Sequence, residues 1–280
     1  MAAAALGAPS PNEHLARDAA SPERRSGNQG LRRRWPAETP RNPRPLALGS
    51  RIVCILGASG CGKSTLLNIF AGFLRPSSGR VLLHGEPILG IEPRCGMVFQ
   101  SYALFPWKTV RGNVEFGLKM QGVAAGERRR RAEQFITLVK LNGFEDRYPG
   151  ELSGGMQQRV SLARILAADP EVLLMDEPFG ALDAMTRQVL QEELLRIHEH
   201  NRKTTLFITH NIDEALILAD RIIVMSARPG RVKAELRNTL PRPRHVDIQL
   251  SPDYARLKST VWSHVQEELL LQSQAAVLVA

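Results

Sequence analysis

The chain has 280 residues, 43% of them hydrophobic, so it can bury a sizeable core and wholesale disorder is excluded. Thirty-seven Lys and Arg against 28 Asp and Glu give a formal net charge of +9, a mild basic excess compatible with anionic partners. No apolar run approaches the roughly 20 residues that span a bilayer, so the chain is not expected to cross a membrane alone.

Residues 1–48 hold seven of the 18 prolines, eight Arg and a single aromatic, Trp35, with no helical or strand period. They are expected to form a disordered basic tail. Met1–Ala8 is small and apolar but lacks a leading charge and stops at Pro9, so it is not read as a secretory signal. From Gly49 the texture changes abruptly. Arg51–Leu56 is a β-branched run expected as a strand, followed by a glycine-rich turn and a helix over Lys63–Leu74.

Further strands are expected at Arg80–His84, Cys95–Phe99, Glu171–Met175, Thr204–Thr209 and Arg221–Met225. Helical patterns lie at Glu127–Leu141, Gly154–Ala168, Thr186–His200 and Ile212–Asp220. Several strands are apolar on both faces, as in a buried parallel sheet, and the alternation with helices predicts an α/β fold. The interval from 100 to 168 is too long for one crossover and is expected to be an inserted helical subdomain. The core is then 49–99 with 169–226, and 227–280 is a C-terminal extension. Cys54, Cys61 and Cys95 lack metal-ligand spacing and are expected to be free thiols. Arg128–Arg131 belong to a solvated helix with Glu127–Arg131 and Arg129–Glu133 pairs, not to a nucleic-acid patch.

Three segments carry chemistry. Gly57, Ala58, Ser59, Gly60, Cys61, Gly62, Lys63, Ser64 and Thr65 fit G-x-x-x-x-G-K-[ST] between a strand and a helix. Its glycines let successive N–H groups face one anion, Lys63 would reach the outer phosphates, and Ser64 would offer a hydroxyl to Mg²⁺. Glu171–Met175 then delivers Asp176, suited to a metal shell, and Glu177, suited to polarise water as a general base. Ser153-Gly-Gly, 23 residues before Asp176, opens a helix and offers a second anion-binding N-terminus.

Together these segments resemble the signature of the ATP-binding cassette (ABC) ATPases, over about Gly49–Leu257. Gln100 at a strand end, Ala181-Leu182-Asp183, and His210 at a strand end match further family motifs in order. The resemblance implies a P-loop, RecA-like α/β core, ATP with Mg²⁺, and a head-to-tail dimer or paired cassette. Ser153, Gly154 and Gly155, with Gln157 beside them, would then meet nucleotide bound at Lys63 of the partner subunit. Ser64, Gln100 and Asp176 would hold the metal, with Glu177, His210 and Gln100 acting in catalysis.

Within the family, Tyr102–Trp107, Pro229–Arg231 and Leu240–Arg244 resemble importers of nitrate, sulfonates and taurine. That implies membrane-spanning permease subunits, an indirect solute-binding protein, a peripheral place on the cytoplasmic face of the inner membrane, and no nucleic acid. Two other readings stay open: a soluble cassette ATPase acting on nucleic acid, and a degenerate nucleotide binder. The family stacks adenine on an aromatic residue upstream of the phosphate loop, where this chain has only Trp35, 22 residues before Gly57. The abrupt change at Gly49 is also what a shifted reading frame or wrong start would leave, which sequencing of the native N-terminus tests.

Overall fold

The computed structural model describes residues 2–5, 48–49, 51–227 and 229–277. Its elements in order are β1 (Ala2–Ala5), β2 (Ile52–Gly57), α1 (Lys63–Phe70), β3 (Arg80–Leu83), β4 (Glu86–Pro87) and β5 (Cys95–Val98). Next come α2 (Val110–Met120), α3 (Ala125–Leu138), α4 (Gly154–Ala167), β6 (Val172–Asp176), α5 (Ala184–Asn201) and β7 (Thr204–Ile208). The chain continues through α6 (Ile212–Leu218), β8 (Arg221–Met225), β9 (Val232–Arg237) and α7 (Pro252–Val277).

The main sheet runs β5-β6-β7-β2-β8-β9, parallel throughout except for β9, which returns antiparallel to β8. Successive residues of a strand face opposite sides. Ile52, Cys54 and Leu56 therefore join the core beneath α4–α6, while Val53 and Ile55 join the core beneath α1. Leu173 and Met175 divide from Val172 and Leu174 in the same way. Both faces are covered, which is why these strands are apolar runs and not alternating ones. Each such aliphatic side chain contributes about 1.5–3 kcal/mol by leaving water.

The fold class agrees with expectation, and several local expectations are corrected. Ala2–Ala5, expected to be disordered, forms a strand antiparallel to Arg80–Leu83. The expectation of disorder for 1–48 otherwise falls almost wholly outside the described residues, as does the proposed role of Trp35. Helix α1 stops at Phe70 because Gly72 turns the chain at φ 77°. Helix α6 stops at Leu218, and Asp220 instead turns its carboxylate onto the Ile52 N–H at 2.9 Å.

Strand β9 lies within the expected C-terminal extension yet closes the sheet edge, and the segment after Pro252, unassigned by its pattern, is one long helix. Helix α2 was not anticipated; Thr109 caps it by accepting the Gly112 N–H at 3.1 Å, and its Val114 and Leu118 are fully buried. The three cysteines are free thiols, and the pairs Glu127–Arg131 and Arg129–Glu133 form at 2.7 and 3.2 Å. Among the described residues no helix is long and apolar enough to cross a membrane.

Candidate functional site

The carboxyl ends of β2, β6 and β7 gather most of the residues singled out above. Gly57 ends β2, and the loop 58–62 curls into α1 through Gly60 at φ 76° and Gly62 at φ 102°. Gly62 is the N-cap of α1, a left-handed conformation that a side chain at this position would strain. The first-turn amides of Lys63, Ser64 and Thr65 have no intrahelical acceptor and add to the positive end of the helix dipole. Lys63 is nearly buried, and its Nζ donates to the carbonyls of Gly57 at 2.8 Å and Ala58 at 3.0 Å. Its ammonium thus lies inside the curve of the loop.

Asp176 ends β6, and its carboxylate takes a hydrogen bond from the Ser64 side chain. Burial pushes its pKa above the usual carboxylate range, and Glu177 adds to that, while the Ser64 bond and Lys63 pull it back. Ser64 and Asp176 form a hard-oxygen pair of the kind Mg²⁺ takes alongside phosphate oxygens. The protein residues present therefore fit that ion.

Glu177 sits in the left-handed region at φ 48°. Its N–H donates to Ile208 at 3.0 Å, and its carbonyl accepts from Gly180 and from the buried Gln158 amide. Thus held, its carboxylate lies 3.3 Å from Nδ1 of His210, whose side chain is 71% exposed. His210 is placed by its neighbours: Thr209 Oγ1 donates to Glu214 at 2.6 Å and accepts the Asn211 N–H, and Asn211 caps α6. Burial raises the pKa of Glu214, which the Thr209 bond and Arg187 oppose.

The second group sits apart within the chain. Ser153 caps α4 by accepting the Met156 N–H at 3.3 Å. A Cβ added at Gly154 would meet only Tyr102 Oη, and one at Gly155 would meet the Ala181 carbonyl and Leu182. Neither touches the phosphate loop. Gln157 turns its amide onto the carbonyls of Pro149 and Leu152, bracing the turn that precedes Ser153. Gln100 lies in a turn two residues beyond β5, not at the strand's last residue, and is exposed. Val98, two residues earlier, pairs with Met175, the residue before Asp176.

Sequence reasoning missed two residues that shape the site. Gln158 donates to the Glu177 carbonyl and accepts the Ala181 N–H at 3.0 Å, tying α4 to the loop between Glu177 and Asp183. Its only sequence signal is tandem placement after Gln157. Glu214 lies one helical turn beyond His210, a spacing with no distinctive pattern of its own.

Comparison with known proteins bears on this geometry. A family described as "ABC transporter" matches residues 49–180. The taurine import ATP-binding protein of Burkholderia thailandensis is 54% identical over 186 residues, 66% of this chain and 72% of that protein. An uncharacterized ABC transporter ATP-binding protein of Methanocaldococcus jannaschii is 48% identical over 221 residues, 79% of this chain and 82% of that protein. Among solved structures, a dimeric ATP-binding cassette in a post-hydrolysis state with ADP and Pi superposes with a TM-score of 0.65. That match has 33% identity, over 71% of this chain and 91% of the other.

Proposed function

The chain belongs to the ABC transporter ATPase family, and from that membership we infer that it powers a membrane importer for a small anion such as taurine, another sulfonate or nitrate. The observation that carries this reading is the division of the site within one chain. The phosphate loop, Asp176, Glu177 and His210 cluster together, whereas Ser153–Gly155 packs on Tyr102 and Ala181. A second copy placed head to tail would bring its Ser153 turn over the γ-phosphate. Two helix N-termini, at Gly62 and Ser153, would then face one polyanion. The dimeric cassette with ADP and Pi supports such pairing.

In this reading Lys63 and the amides of Gly60–Thr65 hold the phosphates, and the carboxylate of Glu177 takes the proton of the attacking water. Water oxygen bonds to the γ-phosphorus as the bond to the bridging oxygen breaks, leaving ADP and phosphate. His210 fixes the Glu177 carboxylate and reaches toward the γ-phosphate. Ser64 and Asp176, with Gln100 beside them, would hold Mg²⁺, which supplies charge neutralisation to the phosphates when bound. Loss of the γ-phosphate removes what joins the two subunits.

The membrane partner would dock near Leu104–Trp107. Trp107 is 71% exposed, the Phe105 ring lies tilted against those of Trp107 and Phe116 with centroids at 5.7 and 4.4 Å, and the buried Asn113 amide clamps the Phe105 and Lys108 backbone. An apolar helix end fits such a surface. The similarity to a taurine import ATP-binding protein supports the substrate class.

The test is reconstitution with a candidate permease in vesicles, measuring ATP turnover as taurine is added with its binding protein. The expected result is stimulation by taurine and, for the chain alone, turnover that rises more steeply than in proportion to its concentration. Monomers at saturating ATP in scattering experiments, with turnover strictly proportional to concentration and no retention on any polytopic membrane protein, would overturn the reading.

A further inference from the structure

We infer that Glu268, far along the C-terminal helix, is a positioning residue for the phosphate loop, an inference that rests on reading that loop as the ATP site. The link runs through the turn between β8 and β9. Within it the Ser226 N–H donates to the Arg231 carbonyl at 2.8 Å, Ser226 Oγ donates to the Pro229 carbonyl at 2.7 Å, and the Arg231 N–H donates to Ser226 Oγ at 3.0 Å. These bonds tie Ser226, Pro229 and Arg231 into one unit.

On one side this unit abuts the phosphate loop. A Cβ added at Gly230 would fall 1.9 Å from the Cys61 carbonyl oxygen, so the two backbones are in direct contact. The carbonyl belongs to the peptide whose nitrogen is that of Gly62, the N-cap of α1. Just before the turn, Met225 backs Gly57, where an added Cβ would meet its carbonyl at 3.1 Å. Displacing the turn would therefore displace the amides expected to face phosphate.

On the other side the turn is held by α7. The buried Glu268 carboxylate accepts the Ala227 N–H at 2.8 Å and pairs with Lys233 Nζ at 2.9 Å. Lys233, on β9, also pairs with Glu267 at 2.8 Å and donates to the His264 carbonyl. The helix is anchored at its other end too, where Tyr254 Oη donates to Asp213 at 2.6 Å and Lys258 pairs with the same carboxylate. A buried carboxylate on a backbone amide is a directional, charge-assisted contact, and here it sits on a helix whose first turns are fixed against α6. Glu268 thus sets the height of the turn, and the turn sets the Cys61–Gly62 peptide.

The test measures binding of a fluorescent ATP analogue to the full chain, with turnover at saturating ATP and thermal melting alongside. Glu268→Ala and Gly230→Ala are each expected to weaken binding about five- to tenfold while saturated turnover holds within about twofold. Gly230 has no left-handed φ, so its alanine acts by contact with Cys61 and not by backbone strain. Glu268→Gln keeps an acceptor for Ala227 and is expected to recover most of the affinity. Glu267→Ala, which loses only a Lys233 contact, is expected to bind as wild type.

A lowered melting temperature in Glu268→Ala with unchanged affinity would make Glu268 merely structural and overturn the proposal. Should Glu268→Ala fail to fold, wild-type affinity in Gly230→Ala overturns it equally. A Lys63→Ala chain reads out the underlying assumption separately. If it binds like wild type, the assignment of the ATP site fails; if it alone loses binding, only the role of Glu268 fails.

Discussion

The two ends of the parallel sheet both carry buried ionisable groups, and they use them in opposite ways. At the amino end Asp220 accepts the Ile52 N–H and two Arg242 bonds, and Arg242 also reaches the Leu218 carbonyl at 2.9 Å. Arg244 donates to Ile217, Ala219 and Leu240, and Asn238 to Leu216 and Ala219. These contacts cap the last carbonyls of α6, where cations also suit the helix dipole. At the carboxyl end the first-turn amides of α1 face outward and His210 is largely exposed. One end locks the fold. The other holds donors and acceptors ready for a ligand, which is where parallel α/β sheets bind.

If that contrast is right, the largest effect on activity comes from a carboxyl-end change that leaves stability alone. Glu177→Gln keeps the bonds to Ile208, Gly180 and the Gln158 side chain, because residue 177 makes all of them through its own main-chain atoms. Turnover is expected to fall about 10²- to 10⁴-fold, with ATP binding and melting temperature held. Single-turnover assays with melting curves check both halves. Persistent hydrolysis would remove Glu177 from the chemistry.

Legibility in the sequence follows the same division. The phosphate loop, Asp176 and Glu177 were readable because contiguous residues carry their chemistry and the strands that precede them are unbroken apolar runs. Strand β9 was not, since Val232–Arg237 is a half-exposed edge with mixed polarity. Helix α2 was hidden by Gly112, Gly117 and the buried Asn113, which weaken a helical pattern while serving tight packing: a Cβ at Gly117 would lie 2.8 Å from Ala168 Cβ. Contacts such as Gln158 with Ala181, or Gly230 with Cys61, join segments far apart in the chain and leave no local trace. The division of the site was already implied by the family resemblance of the ordered motifs; the structure adds which residues Gly154 and Gly155 adjoin.

The amino end should respond the other way. Asp220→Ala removes the acceptor of the Ile52 N–H and leaves Arg242 without its carboxylate partner, and Arg242 Nη1 already lacks a partner among the described residues. The expected loss is about 2 kcal/mol, since charged hydrogen bonds are involved and the carboxylate is partly exposed. That corresponds to roughly 4–8 °C in melting temperature for a chain of this size. Turnover per folded molecule, assayed well below the transition, is expected to stay near wild type. A large fall in turnover without a fall in melting temperature would erase the distinction between the ends.

The smallest effect tests the amino end by pH. His198 is buried on α5, its Nδ1 within 3.0 Å of the Lys203 carbonyl and its Nε2 3.7 Å from Asp220. Burial holds its pKa below the ordinary 6.5; Arg242 and Arg202 also lower it, against Asp220 and the Lys203 carbonyl. Below 6.5 the unfolded chain therefore binds a proton that the folded chain resists. Stability is full above that pH and declines as pH falls toward the depressed folded value. Replacing the imidazole by an amide, His198→Gln, removes that linkage while offering a donor for Lys203. The difference in melting temperature between wild type and variant should then shrink or reverse as pH drops from about 7.5 to about 5.5, other titrating groups being common to both. Parallel melting profiles across that range would show that the imidazole takes up its proton equally in the folded and unfolded states, and that the amino end is held by its arginines and Asp220 alone.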